Sequence, residues 1–214
     1  MPSLPSRLYV ICDADVCGRA GWTLVDFASA CLDGGARFLQ VRAKRASARA
    51  LLDATVAIVA RAQAAGVVVV VNDRPDIARV AGAGGVHVGQ DDLAPALVRV
   101  VAGADLMVGR STHTMDQLAS ALAEPIDYLA VGPVFSTRTK ATGYEAVGLA
   151  HVERAAAQAA RAPGDVPVVA IGGITLERAP DVLRAGAASV AVVSDLLATG
   201  DPAARVAQFL AALR

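Results

Sequence analysis

The sequence predicts a single-domain α/β fold, a (β/α)8 TIM barrel, and three observations lead to that fold class. Eight short aliphatic runs alternate with longer segments rich in Ala, Leu and Arg along the 214 residues. Most runs are continuously apolar, which is typical of parallel strands covered on both faces. Polar residues follow several of the runs directly, as they do at the active-site face of a barrel enzyme. We therefore expect one domain over residues 1–214, with the active site at the C-terminal ends of the strands.

The predicted elements alternate regularly from the N-terminus to the C-terminus. The strands are 8–12, 38–41, 67–71, 85–88, 106–109, 128–131, 168–171 and 189–193. The helix-like segments are 23–33, 47–65, 76–81, 94–101, 115–123, 149–162, 175–185 and 202–213. Thr175 suits an N-cap, and Gly186 suits the residue after a helix end. An open doubly wound sheet shows the same alternation, but no Gly-x-Gly-x-x-Gly follows the first strand, so the barrel is favoured.

Composition argues against several classes of function. The chain has 20 Lys+Arg and 20 Asp+Glu, so it lacks an overall field that would attract nucleic acid or an anionic membrane. Its aliphatic runs are far shorter than the ~20 residues that cross a bilayer, and its N-terminus does not resemble a signal peptide. Cys12, Cys17 and Cys31 lack Cys-x-x-Cys spacing and are interpreted as reduced thiols. We expect a soluble, cytoplasmic protein with small-molecule substrates and no nucleic-acid or membrane partner; the sequence leaves its oligomeric state open and is compatible with a homo-oligomer.

A cationic group of side chains follows the second strand. Gln40, Arg42 and Lys44 alternate along an extended backbone, so their side chains project to the same side. One amide and two cations aimed from one strand end can hold an anion. A solvated strand exit with routine basic residues is the alternative, and the in-phase spacing favours the binding site.

Carboxylates follow the next two strands. Asn72 and Asp73 come after the third strand, and Asp91 and Asp92 come after the fourth. Because adjacent strand exits face one another over a barrel mouth, Asp73 and one member of the Asp91/Asp92 pair could hold a hard divalent cation such as Mg²⁺. Ordinary turns are the alternative, since Asn and Asp commonly begin turns.

The fourth and fifth strands carry polar residues whose roles stay open. His87 lies within the fourth strand and is interpreted as a core or packing residue. Ser111 or Thr112 could face the mouth or simply cap the following helix. Arg110 could meet an anion or solvent, and His113 has no carboxylate nearby in sequence that would suggest a catalytic triad.

The sixth strand is followed by the longest connection, residues 135–148, which is a candidate lid. Thr137, Thr139 and Lys140 within it place two hydroxyls and an ammonium group where they could surround phosphate oxygens.

The last two strand exits suit a phosphate group. Gly172 and Gly173 end the seventh strand, and Ser194 follows the eighth. In barrels these exits often bind phosphate, because glycine allows close backbone approach and helix N-termini supply N–H donors. Two ordinary turns are the alternative.

These segments, in this order, resemble the thiamine phosphate synthase family over residues 9–194, nearly the whole chain. The resemblance is carried by Gln40-x-Arg42-x-Lys44, Asn72-Asp73, His87-Val88-Gly89-Gln90-Asp91-Asp92, Ser111-Thr112-His113, Gly132-Pro133-Val134-Phe135-x-Thr137-x-Thr139-Lys140, Ile171-Gly172-Gly173-Ile174 and Val193-Ser194. It implies a transferase that joins 4-amino-2-methyl-5-hydroxymethylpyrimidine diphosphate to a thiazole phosphate, carboxylated or not, and releases pyrophosphate.

The resemblance also implies roles for individual residues. The metal is Mg²⁺, and its ligands are Asp73 and Asp92. Contacts to the pyrimidine diphosphate come from Gln40, Arg42, Lys44 and Asn72, with Ser111 and Lys140 at the diphosphate end. Contacts to the thiazole phosphate come from Thr137, Thr139, Gly173, Val193 and Ser194. Since the family reaction is thought to pass through a pyrimidine carbocation, Arg42, Ser111 and Lys140 are expected to be catalytic by stabilising the departing pyrophosphate.

Two other functions fit a related barrel. One is a thiazole tautomerase, which needs no metal or pyrimidine site, and the other is a paralogue that binds thiamine phosphate without turnover. The presence of Gln40, Asp73 and Asp92 favours the synthase over the tautomerase, and the metal pair beside Lys140 favours it over the paralogue.

Overall fold

The computed structural model describes residues 4–137 and 143–214, which contain a closed barrel of eight parallel strands in sequential order. The strands β1 to β8 are Leu8–Asp13, Phe38–Arg42, Val68–Asn72, Gly85–Val88, Met107–Thr112, Tyr128–Val131, Val168–Ile171 and Ser189–Val192. The barrel closes where β8 pairs with β1 in parallel register, with Val190 beside Leu8. The predicted barrel is thus confirmed over the open sheet.

Helices surround the barrel, and one of them was not predicted. Helices α1 to α9 are Ala14–Arg19, Leu24–Asp33, Ala48–Gln63, Pro75–Ala81, Pro95–Ala102, Met115–Ala121, Leu149–Ala159, Ala179–Arg184 and Pro202–Ala212, with a 3₁₀ helix at Ser194–Leu197. The unpredicted helix is α1, which follows β1 without any intervening turn. Its N-cap is Asp13, the last residue of β1, whose carboxylate accepts the N–H groups of Asp15 and Val16.

The predicted cap of α8 is wrong, whereas its predicted end is right. Thr175 does not cap the helix, which begins only at Ala179; instead its carbonyl oxygen accepts the N–H groups of Arg178 and Ala179 in a preceding turn. Gly186 follows the helix with φ 98°, a left-handed conformation that glycine adopts without a Cβ penalty.

The strands are buried on both faces, which explains their continuous apolar sequences. Successive strand residues point to opposite sides, so one set packs under the helices and the other fills the barrel. The interior set is Tyr9, Ile11, Phe38, Val70, Tyr128, Ala130, Val169 and Ala191. No helix among the described residues is long and apolar enough to cross a membrane.

Aromatic rings fill the amino-terminal part of the barrel interior. Tyr9 stacks on Phe38 with ring centroids 3.7 Å apart, and the edge of Tyr128 meets both rings. Gly109 makes room for Tyr128, because a Cβ at that position would lie 2.0 Å from the tyrosine Cζ. The rings therefore close the barrel from below and leave a cavity above them.

Cys12, Cys17 and Cys31 are buried and form no disulfide. Burial raises the pKa of the Cys17 thiol to about 12, so it stays protonated at neutral pH.

Candidate active site

One large cavity, of about 760 Å³, opens at the C-terminal ends of the strands. Its lining includes these residues predicted from the sequence: Gln40, Arg42, Asn72, Ser111, Thr137, Gly173, Val193 and Ser194. Lys44, Asp73 and Asp92 are not part of the lining and lie at the neighbouring strand exits. Thr139 and Lys140 fall outside the described residues, so their prediction stays a prediction.

Arg42 is oriented by a carboxylate from the neighbouring strand. Asp13 lies opposite Arg42 in the β1–β2 register, and one of its oxygens forms an ion pair with the guanidinium. The other oxygen caps α1, so Asp13 is fixed from two directions. The sequence reasoning missed Asp13, although it follows an aliphatic run just as the predicted site residues do.

Two carboxylates and an ammonium group meet at the exits of β2, β3 and β4. The Lys44 Nζ atom lies 2.9 Å from Asp73 Oδ2, and Asp92 Oδ2 accepts the N–H of Gly89 at 2.8 Å. Burial raises the pKa of Asp73, and the adjacent Asp92 carboxylate raises it further, whereas Lys44 lowers it. Asp92 is therefore the member of the Asp91/Asp92 pair that meets Asp73.

The backbone at Asp73 directs its side chain away from an ordinary strand path. Asp73 has φ 64°, a left-handed conformation that is rare for residues with a Cβ, and its N–H donates to the His87 carbonyl at 2.8 Å. Such strain at a strand exit is typical of functional sites. Among the described residues there is no group of three or more His, Cys, Asp or Glu arranged for a metal, so this site offers two carboxylates.

Ser111 faces the cavity and does not cap a helix. The N-cap of α6 is Thr114, whose hydroxyl accepts the N–H of Gln117. Ser111 Oγ instead lies 2.8 Å from Nε2 of His87. His87 is buried, as predicted, but it also lines the cavity and is more than a packing residue.

Of the two possibilities left open for Arg110, the structure shows an anion and not bulk solvent: the side chain is buried and pairs with a carboxylate of the protein itself. Arg110 alternates with Ser111 along β5 and points into the strand–helix layer, where its Nη1 donates to the Gly89 carbonyl at 2.8 Å. Its Nε lies 3.6 Å from Glu124 Oε2. Arg110 thus supports the loop that carries Asp92 from outside the barrel.

His113 connects β5 with the connection that follows β6. Its ring stacks on Tyr144 with centroids 4.1 Å apart, and its Nδ1 lies 2.5 Å from the Gly132 carbonyl oxygen. Gln117 Nε2 also donates to the Tyr144 hydroxyl at 3.2 Å. These contacts hold the C-terminal part of the connection against β5.

The β6 and β7 exits pack so closely that only glycine fits. Gly172 and Gly173 have φ values of 107° and 62°. A Cβ on Gly172 would lie 2.5 Å from the Cα of Pro133, and one on Gly173 would lie 2.7 Å from the Ser136 carbonyl oxygen. The close approach brings the Thr137 segment beside the β7 exit.

The β7 and β8 exits are tied together by one carboxylate. Asp195 Oδ2 accepts the N–H of Leu176 at 3.3 Å and two donors of Arg205, Nε at 3.0 Å and Nη2 at 2.7 Å. Both side chains are largely buried, so the pair is shielded from solvent. Ser194 begins the 3₁₀ helix directly before Asp195 and is therefore held in place from α9.

Sequence reasoning also missed Arg178 among the cavity-lining residues. Its Nη1 donates to the Gly173 carbonyl at 2.9 Å, and its guanidinium lies 4.6 Å from the centroid of the Phe135 ring. No sequence signal marks it, because it belongs to the turn before α8, which the sequence assigned to the helix.

A sequential eight-stranded barrel, with its polar strand exits gathered around one cavity, defines a (β/α)8 enzyme whose active site is at the C-terminal face. The chain belongs to the thiamine monophosphate synthase family, whose model matches residues 8–196. A thiamine-phosphate synthase is a transferase, so the enzyme class predicted from the sequence motifs is confirmed.

Individual relatives match over almost the full chain. The thiamine-phosphate synthase of Koribacter versatilis is 45% identical over 206 residues, covering 95% of this chain and 94% of that protein. That of Anaeromyxobacter dehalogenans is 48% identical over 185 residues, covering 86% of this chain and 81% of that protein. The solved structure of thiamine phosphate pyrophosphorylase from Pyrococcus furiosus is similar with a TM-score of 0.84 at 26% identity, covering 97% and 95% of the two chains. Two of these relatives are named thiamine-phosphate synthase and the third thiamine phosphate pyrophosphorylase, and none carries the name of either alternative function.

Proposed function

We propose that this chain, a thiamine-phosphate synthase by family, joins 4-amino-2-methyl-5-hydroxymethylpyrimidine diphosphate to a thiazole phosphate and releases pyrophosphate. The observation that carries the proposal is a single cavity with two unlike sides. On one side Arg42 lines the cavity, and Lys44, Asp73 and Asp92 adjoin it at the exits of β2 to β4; on the other side the backbone of Gly172 and Gly173 lines it at the exit of β7. Each side suits one of the two phosphorylated substrates.

The pyrimidine diphosphate is assigned to the β2–β5 side. Gln40, Arg42, Lys44 and Asn72 are the proposed contacts, and three of these four line the cavity. The Asp13 carboxylate holds Arg42 in place, so the guanidinium is preorganised before an anion arrives. A preorganised cation costs no reorganisation when the negative charge develops.

Asp73 and Asp92 are the proposed ligands of Mg²⁺. Both carboxylates are hard oxygen donors, which Mg²⁺ prefers. They lie next to each other, since burial and the adjacent Asp92 carboxylate together raise the pKa of Asp73. The single Lys44 ammonium group offsets only part of their negative charge. When bound, Mg²⁺ would supply charge neutralisation to the diphosphate oxygens. A two-carboxylate site leaves the remaining coordination to phosphate oxygens and water, as Mg²⁺ sites commonly do.

The proposed reaction is a dissociative substitution. The carbon–oxygen bond to pyrophosphate breaks first, the oxygen keeps the electron pair, and the thiazole nitrogen then attacks the pyrimidine carbocation. Arg42, Ser111 and Lys140 are assigned to the leaving pyrophosphate, whose negative charge they stabilise. No protein nucleophile is required by this order of steps.

The thiazole phosphate is assigned to the β6–β8 side. Thr137, Thr139, Gly173, Val193 and Ser194 are the proposed contacts, and those within the described residues line the cavity. Positive φ at Gly173 turns the backbone at the β7 exit, and N–H groups at such turns can bind phosphate oxygens.

Three further expectations accompany this assignment. We propose that residues 1–214 act as one domain, that the enzyme works in the cytoplasm, and that its partners are small molecules without nucleic acid or membrane. A homo-oligomer remains compatible with the sequence.

The proposal is tested by incubating the purified protein with both substrates, with and without Mg²⁺, and measuring pyrophosphate and thiamine phosphate together. Equimolar, Mg²⁺-dependent formation of both products is expected. Thiazole phosphate binding without pyrophosphate release would contradict the proposal.

A further inference from the structure

A continuous series of hydrogen bonds crosses the barrel interior and ends at Ser111; we name it the Gln40–Ser111 chain. Gln40 Nε2 donates to the Tyr9 hydroxyl at 2.9 Å, and the Tyr9 and Tyr128 hydroxyls are 3.0 Å apart. The Tyr128 hydroxyl lies 3.0 Å from Nδ1 of His87, and His87 Nε2 lies 2.8 Å from Ser111 Oγ. The Gln40–Ser111 chain therefore links two proposed contacts of the pyrimidine diphosphate, one on β2 and one on β5.

With the Gln40 amide nitrogen facing Tyr9, as the structure places it, the protons of the Gln40–Ser111 chain can point in only one direction if each buried donor is to be used. The Gln40 amide nitrogen is a donor, so the Tyr9 oxygen accepts. Tyr9 is only 1% exposed and has no other hydrogen-bond partner among the described residues, so its own proton must go to Tyr128. The reverse direction would leave the Tyr9 O–H buried without an acceptor.

The direction then passes through His87. Because Tyr128 accepts from Tyr9, its single proton goes to Nδ1 of His87, which must be unprotonated. The neutral imidazole then carries its proton on Nε2 and donates it to Ser111 Oγ. Ser111 accepts on the barrel side, so its hydroxyl proton is directed into the cavity.

The tyrosines in the middle of the chain are held firmly. Burial raises the pKa of both phenols, so both keep their protons at neutral pH. The ring of Tyr128 fills the space beside Gly109 and packs edge-on against the rings of Tyr9 and Phe38.

We infer that His87 is a positioning residue that makes Ser111 a hydrogen-bond donor to an anionic phosphate oxygen, and that Tyr128 sets the required His87 tautomer. The inference rests on the proposed function, which assigns Ser111 to the diphosphate. If the hydrogen bonds ran in the opposite direction, Ser111 would donate its proton to His87. Its oxygen would then offer only lone pairs to the phosphate, and these would repel the anion. The expected role is therefore transition-state stabilisation of the leaving pyrophosphate, exerted through Ser111.

Two amide substitutions of His87 test whether the hydrogen bond to Ser111 matters or only the filling of space. The His87→Gln side chain is long enough to place its amide nitrogen near the position of Nε2 and donate to Ser111. The His87→Asn side chain is too short to reach Ser111. We expect His87→Asn to lower kcat about 100-fold with little change in KM for the thiazole phosphate. His87→Gln is expected to recover activity to within about fivefold of the wild type.

A double-mutant cycle with Ser111→Ala decides whether His87 acts through the serine. Ser111→Ala is expected to lower kcat about 100-fold or more, and His87→Asn should add nothing in that background. If the two losses multiply, or if His87→Gln is as poor as His87→Asn, the inference is wrong.

Tyr128→Phe provides a second measurement in case His87→Asn does not fold, which thermal unfolding of each variant reports. It is expected to lower kcat about fivefold in the wild type and not at all in Ser111→Ala. An equal loss in both backgrounds would overturn the assigned direction. All rates are compared with wild-type product formation, so absence of product in the wild type would instead refute the proposed function.

Discussion

The two sides of the cavity are built in different ways. At the exits of β2 to β4, charged side chains carry the chemistry: Arg42 is held by Asp13, and Lys44 contacts Asp73, which Asp92 adjoins. At the exits of β7 and β8, the backbone dominates, with two glycines at positive φ and a loop held by Asp195. The first side suits a developing negative charge, and the second suits a phosphate group that only needs to be held.

Because of this difference, we expect substitutions on the two sides to change different properties of the enzyme. Removing a charge from the β2–β4 side should lower the rate of pyrophosphate release, because that charge stabilises the leaving group. Disturbing the backbone of the β7–β8 side should weaken binding and stability instead. The following predictions test this division, from the largest expected effect to the smallest.

Loss of a carboxylate from the β3–β4 exits should have the largest effect. Asp92→Asn is expected to lower kcat about 1000-fold and to raise the Mg²⁺ concentration needed for half-maximal activity. Asp91→Asn is the matched control, because its side chain is exposed and it is the neighbouring residue of the same type. Steady-state kinetics over a Mg²⁺ titration measure both variants, and equal losses in the two would contradict Asp92 as the ligand.

Lys140 lies outside the described residues, and its prediction rests on the sequence motif. Lys140→Ala is expected to lower kcat by about 10²–10³, because an ammonium that stabilises the pyrophosphate is lost. Lys140→Arg keeps the charge and should retain more activity than the alanine variant. Near-normal turnover of Lys140→Ala in the same assay would exclude this role.

The ion pair of Arg205 and Asp195 should matter mainly for stability. The two side chains are 11% and 13% exposed, so Arg205→Ala leaves a largely buried carboxylate unpaired and should cost about 3 kcal/mol of unfolding free energy. The control is Arg49→Ala, whose pair with Asp53 is 84% and 61% exposed and should contribute no more than about 0.5 kcal/mol. Urea denaturation measures the unfolding free energy of both variants. Similar losses in the two would show that the buried ion pair stabilises the fold no more than the exposed one.

Gly173→Ala should separate close packing from backbone strain. Gly173 has φ 62° and no room for a Cβ, whereas Gly200 has φ 78° and open space where a Cβ would stand, with no atom beyond its two chain neighbours within 4 Å. Gly200→Ala should cost about 1–2 kcal/mol from the left-handed conformation alone. Gly173→Ala should cost more and should raise KM for the thiazole phosphate while changing kcat little. If the two variants lose equal stability and neither changes KM, the close approach has no functional role.

Much of the fold could be predicted because local sequence patterns determine it. Short, mostly aliphatic runs marked every strand, and residues after those runs marked eight positions of the cavity lining, from Gln40 to Ser194. The α1 helix was missed because Asp13 serves both as the end of β1 and as the cap of the helix, so no break separates them. The start of α8 was misplaced because Thr175 begins a separate turn, in which its carbonyl oxygen accepts the N–H groups of Arg178 and Ala179, and the helix itself has no side-chain cap.

The sequence by itself determined the order of the strands, the family and the residue types available at each strand exit. Only the tertiary structure decided which side chains meet: that Asp92 adjoins Asp73, that Arg110 points away from the cavity, and that His87 contacts Ser111. The physical reason is that barrel closure and strand register bring together residues far apart in the chain, such as Tyr9 and Tyr128. Contacts between residues so far apart in the chain cannot be predicted from local composition and spacing.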